Sequence, residues 1–225
     1  MKLEYRSKNE LVYQRLRTAI IHGEYQPGTR LVIDQLAAEL GVSQIPIREA
    51  IRQLESDGFV TFEPYAGATV TEITAGFIFE VFALLESVEV ICSRAACRLM
   101  TDQELEKLGN LVQHMEASTS DPEKWSQENK ELHHLISEYS RSSLVKQVQH
   151  KVLDHWDRLR LHYLKDVFGN RIKSAQQEHQ AILAAFRARN PDEVERLVRE
   201  HNQNALTSYI GYLRLSGQLA EAEVT

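Results

Sequence analysis

The chain has 225 residues, 43% of them hydrophobic, which is enough to form two modest domains with buried cores. It has no run of eighteen apolar residues and its first residues are polar and charged, so we expect neither a transmembrane helix nor a secretory signal peptide. The net charge is −6, which excludes a generally basic nucleic-acid-binding protein. Any contact with DNA must therefore depend on local positive charge.

The cysteine content indicates a reducing compartment. Cys92 and Cys97 are five residues apart on a predicted helix and therefore point to different faces. We expect two buried, reduced thiols, which are typical of a cytoplasmic protein.

The N-terminal region predicts a helix-turn-helix. A Ser-x-x-Glu capping box at residues 7–10 begins a first helix. Residues 34–40 and 44–57 follow as second and third helices, joined by a tight turn that contains Gly41 and Ser43. Two helices joined in this way can place the second one in the major groove of DNA.

Two β-prone segments, 59–62 and 68–71, follow the third helix and are joined by a loop that ends at Gly67. They predict a hairpin, which would be the wing of a winged helix-turn-helix. A short β-branched run at 31–33 predicts one more strand before the second helix. The alternative is a small helical domain with a packing hairpin and no role in DNA binding.

The third helix has one apolar face, formed by Ile47, Ile51 and Leu54, which should pack in the core. The candidate DNA contacts are the remaining polar or exposed positions and the wing glycine: Ser43, Gln44, Ile45, Arg48, Arg52 and Gly67. Arginine can bond guanine or reach a phosphate, and glutamine suits adenine. A purely structural Arg48, paired with Glu49 or Glu55, is the alternative.

Beyond residue 74 the sequence predicts only helices, with breaks at Gly169-Asn170 and Asn190-Pro191. The expected segments are 75–100, 101–117, 122–139, 142–168, 171–189 and 192–215. We therefore predict a mainly α protein with two domains, a winged helix-turn-helix at 1–74 and an all-α antiparallel bundle at 75–225.

Three histidines lie on the apolar faces of three different predicted helices, at His133, His179 and His201. Helices that share one core should bring these imidazoles together, and a buried imidazole requires a partner. A shared divalent metal would satisfy all three, and imidazole ligands favour zinc or nickel. The alternative is a set of core histidines bonded to protein groups. His155 and His162 are further candidates for lining a ligand pocket.

From Tyr13 to Val70 the chain resembles the winged-helix domain of GntR-type bacterial repressors. The matching residues keep a fixed register: Leu16, Ile20, Gly23, Pro27-Gly28, Leu31, Leu36-Ala37, Leu40-Gly41-Val42-Ser43, Pro46, Arg48-Glu49-Ala50, Leu54, Gly58 and Val70. The C-terminal half is similar to the FCD ligand-binding domain that follows such winged helices in the FadR-like branch.

The resemblance implies a cytoplasmic, ligand-responsive repressor that binds a palindromic operator as a homodimer. It also implies a divalent metal and a small-molecule effector, often a small organic acid, in the helical domain. The metal ligands would be Asn129, His133, His179 and His201, with Asn129 standing where the family has a carboxylate.

Some positions depart from the family pattern. Phe82 stands where many members have an arginine four residues before a glutamate that matches Glu86, so we assign both to the effector pocket and expect a less anionic effector. Gln44 and Ile45 stand where arginine and threonine are common, which implies a different operator sequence.

Two other classes of function remain open to the sequence. A three-histidine metal site with an open position could activate water in a hydrolase. However, the only nearby candidate base is Glu178, next to a ligand, and the DNA-binding pattern would be unexplained, so we do not expect an enzyme. A metal-free helical interaction module is the other alternative.

Overall fold

The computed structural model describes residues 8–63, 67–162 and 165–215. These residues form two compact units. The first contains the described residues up to Thr74 together with Asp157–His162, and the second contains Ala75–Trp156 and the described residues after 164. The domains 1–74 and 75–225 stay a prediction, and the compact units group Asp157–His162 with the first unit.

The first unit is a winged helix-turn-helix, as predicted. Its elements are α1 (Lys8–Ile21), β1 (Arg30–Leu31), α2 (Ile33–Leu40), α3 (Gln44–Ser56), β2 (Val60–Glu63) and β3 (Gly67–Val70). The strands form an antiparallel sheet in the order β1-β3-β2. The predicted strand at 31–33 is shorter than expected because α2 already begins at Ile33. Ser7 of the predicted capping box lies outside the described residues.

The turn between α2 and α3 depends on a glycine. Gly41 ends α2 with φ at 64°, in the left-handed region where a residue without Cβ is least strained. Ser43 then begins α3 in an extended conformation. Helix α3 packs on α1 through fully buried side chains that include Leu16, Ile20 and Ile47. This packing fixes which face of α3 is exposed.

The second unit is all-α. Its helices are α4 (Ala75–Leu99), α5 (Asp102–Ala117), α6 (Pro122–Tyr139), α7 (Ser143–His162), α8 (Lys165–Arg187) and α9 (Pro191–Leu215), with the last residues of α7 belonging to the first unit. Thr101 and Asp121 cap α5 and α6 with their side chains, and the capping box at Thr101 is complete. None of the helices in the described ranges is both long and apolar enough to cross a membrane.

The predicted helix break at Gly169-Asn170 is wrong, because both residues lie inside α8. An isolated glycine in a helix costs only about 1 kcal/mol relative to alanine. Val167 and Ile172, on either side of the pair, are buried, and Ile172 belongs to the core of the bundle. Tertiary packing therefore overrides the local signal.

The core of the second unit contains large buried side chains such as Trp125, Met115 and Phe186. The Trp125 indole Nε1 donates to Gln176 Oε1 at 3.2 Å, so its polar atom is satisfied. Cys92 and Cys97 are buried free thiols, as expected, and burial raises the pKa of both.

Candidate DNA-binding surface and metal centre

Helix α3 buries its apolar face and exposes the face with the candidate DNA contacts. Ile47, Ile51 and Leu54 are at most 2% exposed. The predicted contact positions Ser43, Gln44, Ile45, Arg48 and Arg52 are all exposed. Gly67 begins β3, and the rest of the predicted wing loop, residues 64–66, lies outside the described residues.

Two hydrogen bonds link the exposed polar residues of this surface. Gln44 Nε2 donates to Asp34 Oδ1 at 2.5 Å, and Arg48 Nη2 donates to Gln44 Oε1 at 3.2 Å. Within the described ranges, Arg48 forms no ion pair with Glu49 or Glu55, so the contacts do not support the purely structural alternative for this arginine. Its guanidinium remains available at the surface.

The three histidines of the second unit meet in one cluster. His133 lies on α6, His179 on α8 and His201 on α9, and a ligand nitrogen of each lies within 4.8 Å of the other two. The ring centroids are 5.8 Å apart for His133 and His179, 6.0 Å for His133 and His201, and 4.8 Å for His179 and His201. The predicted convergence of the helix faces is therefore present.

Two carboxylates orient two of these imidazoles. His133 Nδ1 lies 2.9 Å from Glu89 Oε1, and His201 Nδ1 lies 2.6 Å from Glu178 Oε2. Each Nε2 is then the nitrogen left for a ligand, as in the carboxylate–histidine pairs that support metal ligands. Asn202 Nδ2 donates to Glu89 at 2.7 Å, and Arg171 Nη2 donates to Glu178 at 2.7 Å, so both carboxylates are held in turn.

These contacts shift the pKa values of the groups involved. Burial raises the pKa of Glu89, but the charge and hydrogen bond of His133 outweigh burial and lower it to about 2. Burial likewise raises the pKa of Glu178, and hydrogen bonds from His201 and Arg171 outweigh it and lower it to about 2. Burial lowers the pKa of His133, but Glu89 outweighs that effect and raises it.

His179 differs from the other two imidazoles. Its side chain is 2% exposed, and neither ring nitrogen has a hydrogen-bond partner among the described residues. Burial lowers its pKa well below 6.5, and the charges of His201 and His133 add to this effect. A buried neutral imidazole without a partner is costly unless a ligand completes it.

Asn129 adds a second buried atom without a partner. Its Oδ1 has no hydrogen bond within the described part of the chain, and it lies one turn before His133 on the same helix. Three imidazoles and an amide oxygen form a donor set that suits a borderline divalent cation such as zinc or nickel. The residues present therefore fit a metal.

A small, partly open cavity lies beside the histidine cluster. Its lining combines polar residues of the cluster with apolar and aromatic ones: Phe82, Leu85, Glu89, Asn129, Lys130, His133, Leu153, Trp156, His201, Asn202 and Ala205. The Phe82 ring contacts Trp156 at 5.3 Å and Tyr209 at 5.7 Å between centroids, so one wall is aromatic.

The other predicted effector residues lie elsewhere. Glu86 pairs with Arg199 at 2.7 Å, and the His155 ring packs on Phe77 at 5.4 Å. His162 lies in the first unit, where its Nε2 is 3.3 Å from the carbonyl oxygen of Ile20. Of this predicted set, Phe82 lines the cavity beside the histidine cluster.

Sequence reasoning missed Glu89 and the orienting role of Glu178. Glu89 is 6% exposed, between Val88 and Val90 on a helix that is largely apolar. A single acidic residue among buried apolar positions was the available signal, because such a group requires a partner.

Comparisons with known proteins agree with this architecture. The family described as "FCD domain" matches residues 80–204, and the family described as "Bacterial regulatory proteins, gntR family" matches residues 8–70. The chain is 28% identical over 195 residues to the uncharacterized HTH-type transcriptional regulator YdhC of Bacillus subtilis (strain 168), covering 84% of this chain and 85% of that protein.

Two further similarities concern Escherichia coli proteins. The chain is 23% identical over 197 residues to the HTH-type transcriptional repressor RspR of strain K12, covering 87% of this chain and 86% of that protein. The solved structure of McbR/YncC matches with a TM-score of 0.70 and 24% identity, covering 92% of this chain and 99% of that one. The structural match shows a shared fold.

Proposed function

The chain belongs to the gntR family of bacterial regulatory proteins and carries an FCD domain, and from this we infer a function in transcription. We propose that it is a cytoplasmic, metal-containing repressor that binds operator DNA as a homodimer and responds to a small effector. It is a transcriptional regulator with a DNA-binding helix-turn-helix. Its relatives are regulators and not enzymes, which confirms that the hydrolase alternative does not apply.

The exposed face of α3 is the observation that carries the DNA-binding part of the proposal. Ile45, Arg48 and Arg52 follow one another at helical spacing on the side opposite the buried face. The first residues of a recognition helix are those that reach base edges. The net negative charge of the chain makes such local contacts more important.

Arg48→Ala is expected to weaken operator binding by on the order of 1–3 kcal/mol, because a guanidinium that contacts a base is lost. Fluorescence anisotropy with a duplex selected from a random library by the full-length protein measures this effect. Arg196→Ala removes an exposed arginine that pairs with Glu193 and Glu200 in the second unit, and it should leave affinity unchanged. Unchanged affinity for Arg48→Ala would contradict the assignment.

We assign the metal to His133, His179 and His201, with Asn129 as the fourth ligand or replaced by water. A bound divalent cation would supply a Lewis-acidic position for an effector oxygen. Glu89 and Glu178 hold His133 and His201 in the required tautomer, and the buried surroundings exclude bulk water.

The cavity beside the cluster is the proposed effector site. Phe82 occupies the position of the arginine found in related domains, so the cavity has no guanidinium there. The effector should therefore be less anionic, or the metal should balance its negative charge. A thermal-shift screen of the wild type and His133→Ala tests this placement. Compounds that stabilise both proteins equally would show that the metal is not part of the effector site.

Exposed apolar side chains support a homodimer. Leu84 and Ile91 lie two turns apart on α4 and are 50% and 51% exposed, and Leu144 and Val148 of α7 are 71% and 40% exposed. Two copies would also supply the two DNA-reading heads that a specific operator requires. If the exposed face of α4 joins two copies, Ile91→Glu lowers the mass measured by light scattering to that of a monomer, whereas Leu11→Glu does not.

A further inference from the structure

Ile45 is an apolar residue whose side chain is exposed and does not pack in the core of the first unit. It is the second residue of α3 and is 68% exposed, whereas the next two residues, Pro46 and Ile47, are buried. A single exposed isoleucine is not unusual on a protein surface. It lies in the first turn of the recognition helix, where side chains contact base edges.

The hydrogen bonds of the polar residues near Ile45 limit which side chains of this turn can contact bases. The amide of Gln44 donates to Asp34 and accepts from Arg48, so both of its ends are engaged within the protein. Arg48 lies three residues after Ile45, on the same exposed face. The guanidinium of Arg48 has further N–H groups besides the one that donates to Gln44, so Arg48 and the branched aliphatic side chain of Ile45 are the two groups that this turn can offer to bases.

We propose that Ile45 recognises a thymine in each operator half-site by packing against its 5-methyl group. In the major groove only thymine offers an apolar group, whereas the other bases offer hydrogen-bond donors or acceptors at their edges. An isoleucine placed on those edges would remove water from polar atoms without replacing its hydrogen bonds. The inference rests on the proposed operator binding.

Removal of the methyl group alone tests the proposal. Operator duplexes are first selected from a random library with the full-length protein, and each thymine of one half-site is then replaced in turn by uracil, which lacks only the 5-methyl group. We expect one position at which uracil weakens wild-type binding about fourfold, the ratio given by one buried methyl group. Ile45→Ala should bind the thymine and uracil duplexes equally at that position.

Two further variants separate this effect from a general loss of binding. Ile45→Val retains a branched apolar side chain and should keep most of the preference for thymine. Leu11→Ala removes another exposed apolar side chain, 53% exposed on α1, and should keep the full preference.

The outcomes distinguish the inference from the function on which it rests. If no sequence is enriched from the library, operator binding itself is refuted, and the inference is refuted with it. If an operator is selected but no uracil substitution weakens wild-type binding, only the role of Ile45 is refuted. An equal uracil effect in the wild type and Ile45→Ala also overturns it.

Discussion

Replacing His179 with alanine is expected to abolish metal binding and the stabilisation that the metal provides. Of the three clustered imidazoles, His179 is the one whose two nitrogens are both buried without a partner among the described residues. A metal at a thousand times its dissociation constant stabilises the folded state by about 4 kcal/mol. Metal content after dialysis, and the unfolding temperature with and without added zinc or nickel, measure the effect.

A second variant at the same position, His179→Leu, is expected to increase stability when no metal is bound. In chelator, His179→Leu should be more stable than the wild type by about 1–3 kcal/mol, because two unpaired buried polar atoms are replaced by apolar ones. It should show no further gain on adding metal. A leucine variant that is less stable than the wild type in chelator would contradict the geometry inferred for this imidazole.

His134→Ala is the matched control, since His134 is adjacent to His133 in sequence but its side chain is 46% exposed. It should bind metal as the wild type does. Equal metal content in His179→Ala and His134→Ala would refute the proposed ligand set.

The sequence was sufficient to predict elements whose signals are local. Helix α3 follows from Gly41, Ser43 and the apolar spacing of Ile47 and Ile51, all within one short segment. The Gly169-Asn170 pair has an equally local signal, yet α8 continues through it because buried residues on both sides hold the helix. That competition depends on contacts distant in sequence, which periodicity does not report.

The same distinction applies to the histidine cluster. His133, His179 and His201 each lie on an apolar face at helical spacing, so a bundle with one core brings them together. The pairing of His133 with Glu89 joins α6 to α4 and depends on helix packing, which spacing within one helix does not report. The resemblance drew attention to Glu86 on the same helix, as an effector-pocket residue, and Glu86 pairs with Arg199.

The metal-free protein is expected to lose stability as the pH falls from about 5 to about 2, because two carboxylates have lowered pKa values. Glu89 and Glu178 have pKa values of about 2, below the ordinary value of 4.5. A carboxyl with a folded-state pKa below its unfolded-state value stabilises the protein above the unfolded value, and this stabilisation is lost as the pH falls through the folded value. Each such carboxyl contributes on the order of 3 kcal/mol.

Urea unfolding at pH 6, 4 and 3 in the presence of chelator measures this loss. Glu89→Gln should be less stable than the wild type at pH 6, because His133 loses the carboxylate that raises its pKa and Asn202 loses a charged acceptor. The difference between the two proteins should shrink toward pH 3, because the Glu89 carboxyl takes up its proton near pH 4.5 in the unfolded wild type, whereas the folded carboxyl, with a pKa of about 2, stays ionised. Glu131→Gln, at an exposed position of α6, should follow the wild type at every pH. A constant difference between Glu89→Gln and the wild type across this range would show that the Glu89–His133 contact does not control acid stability.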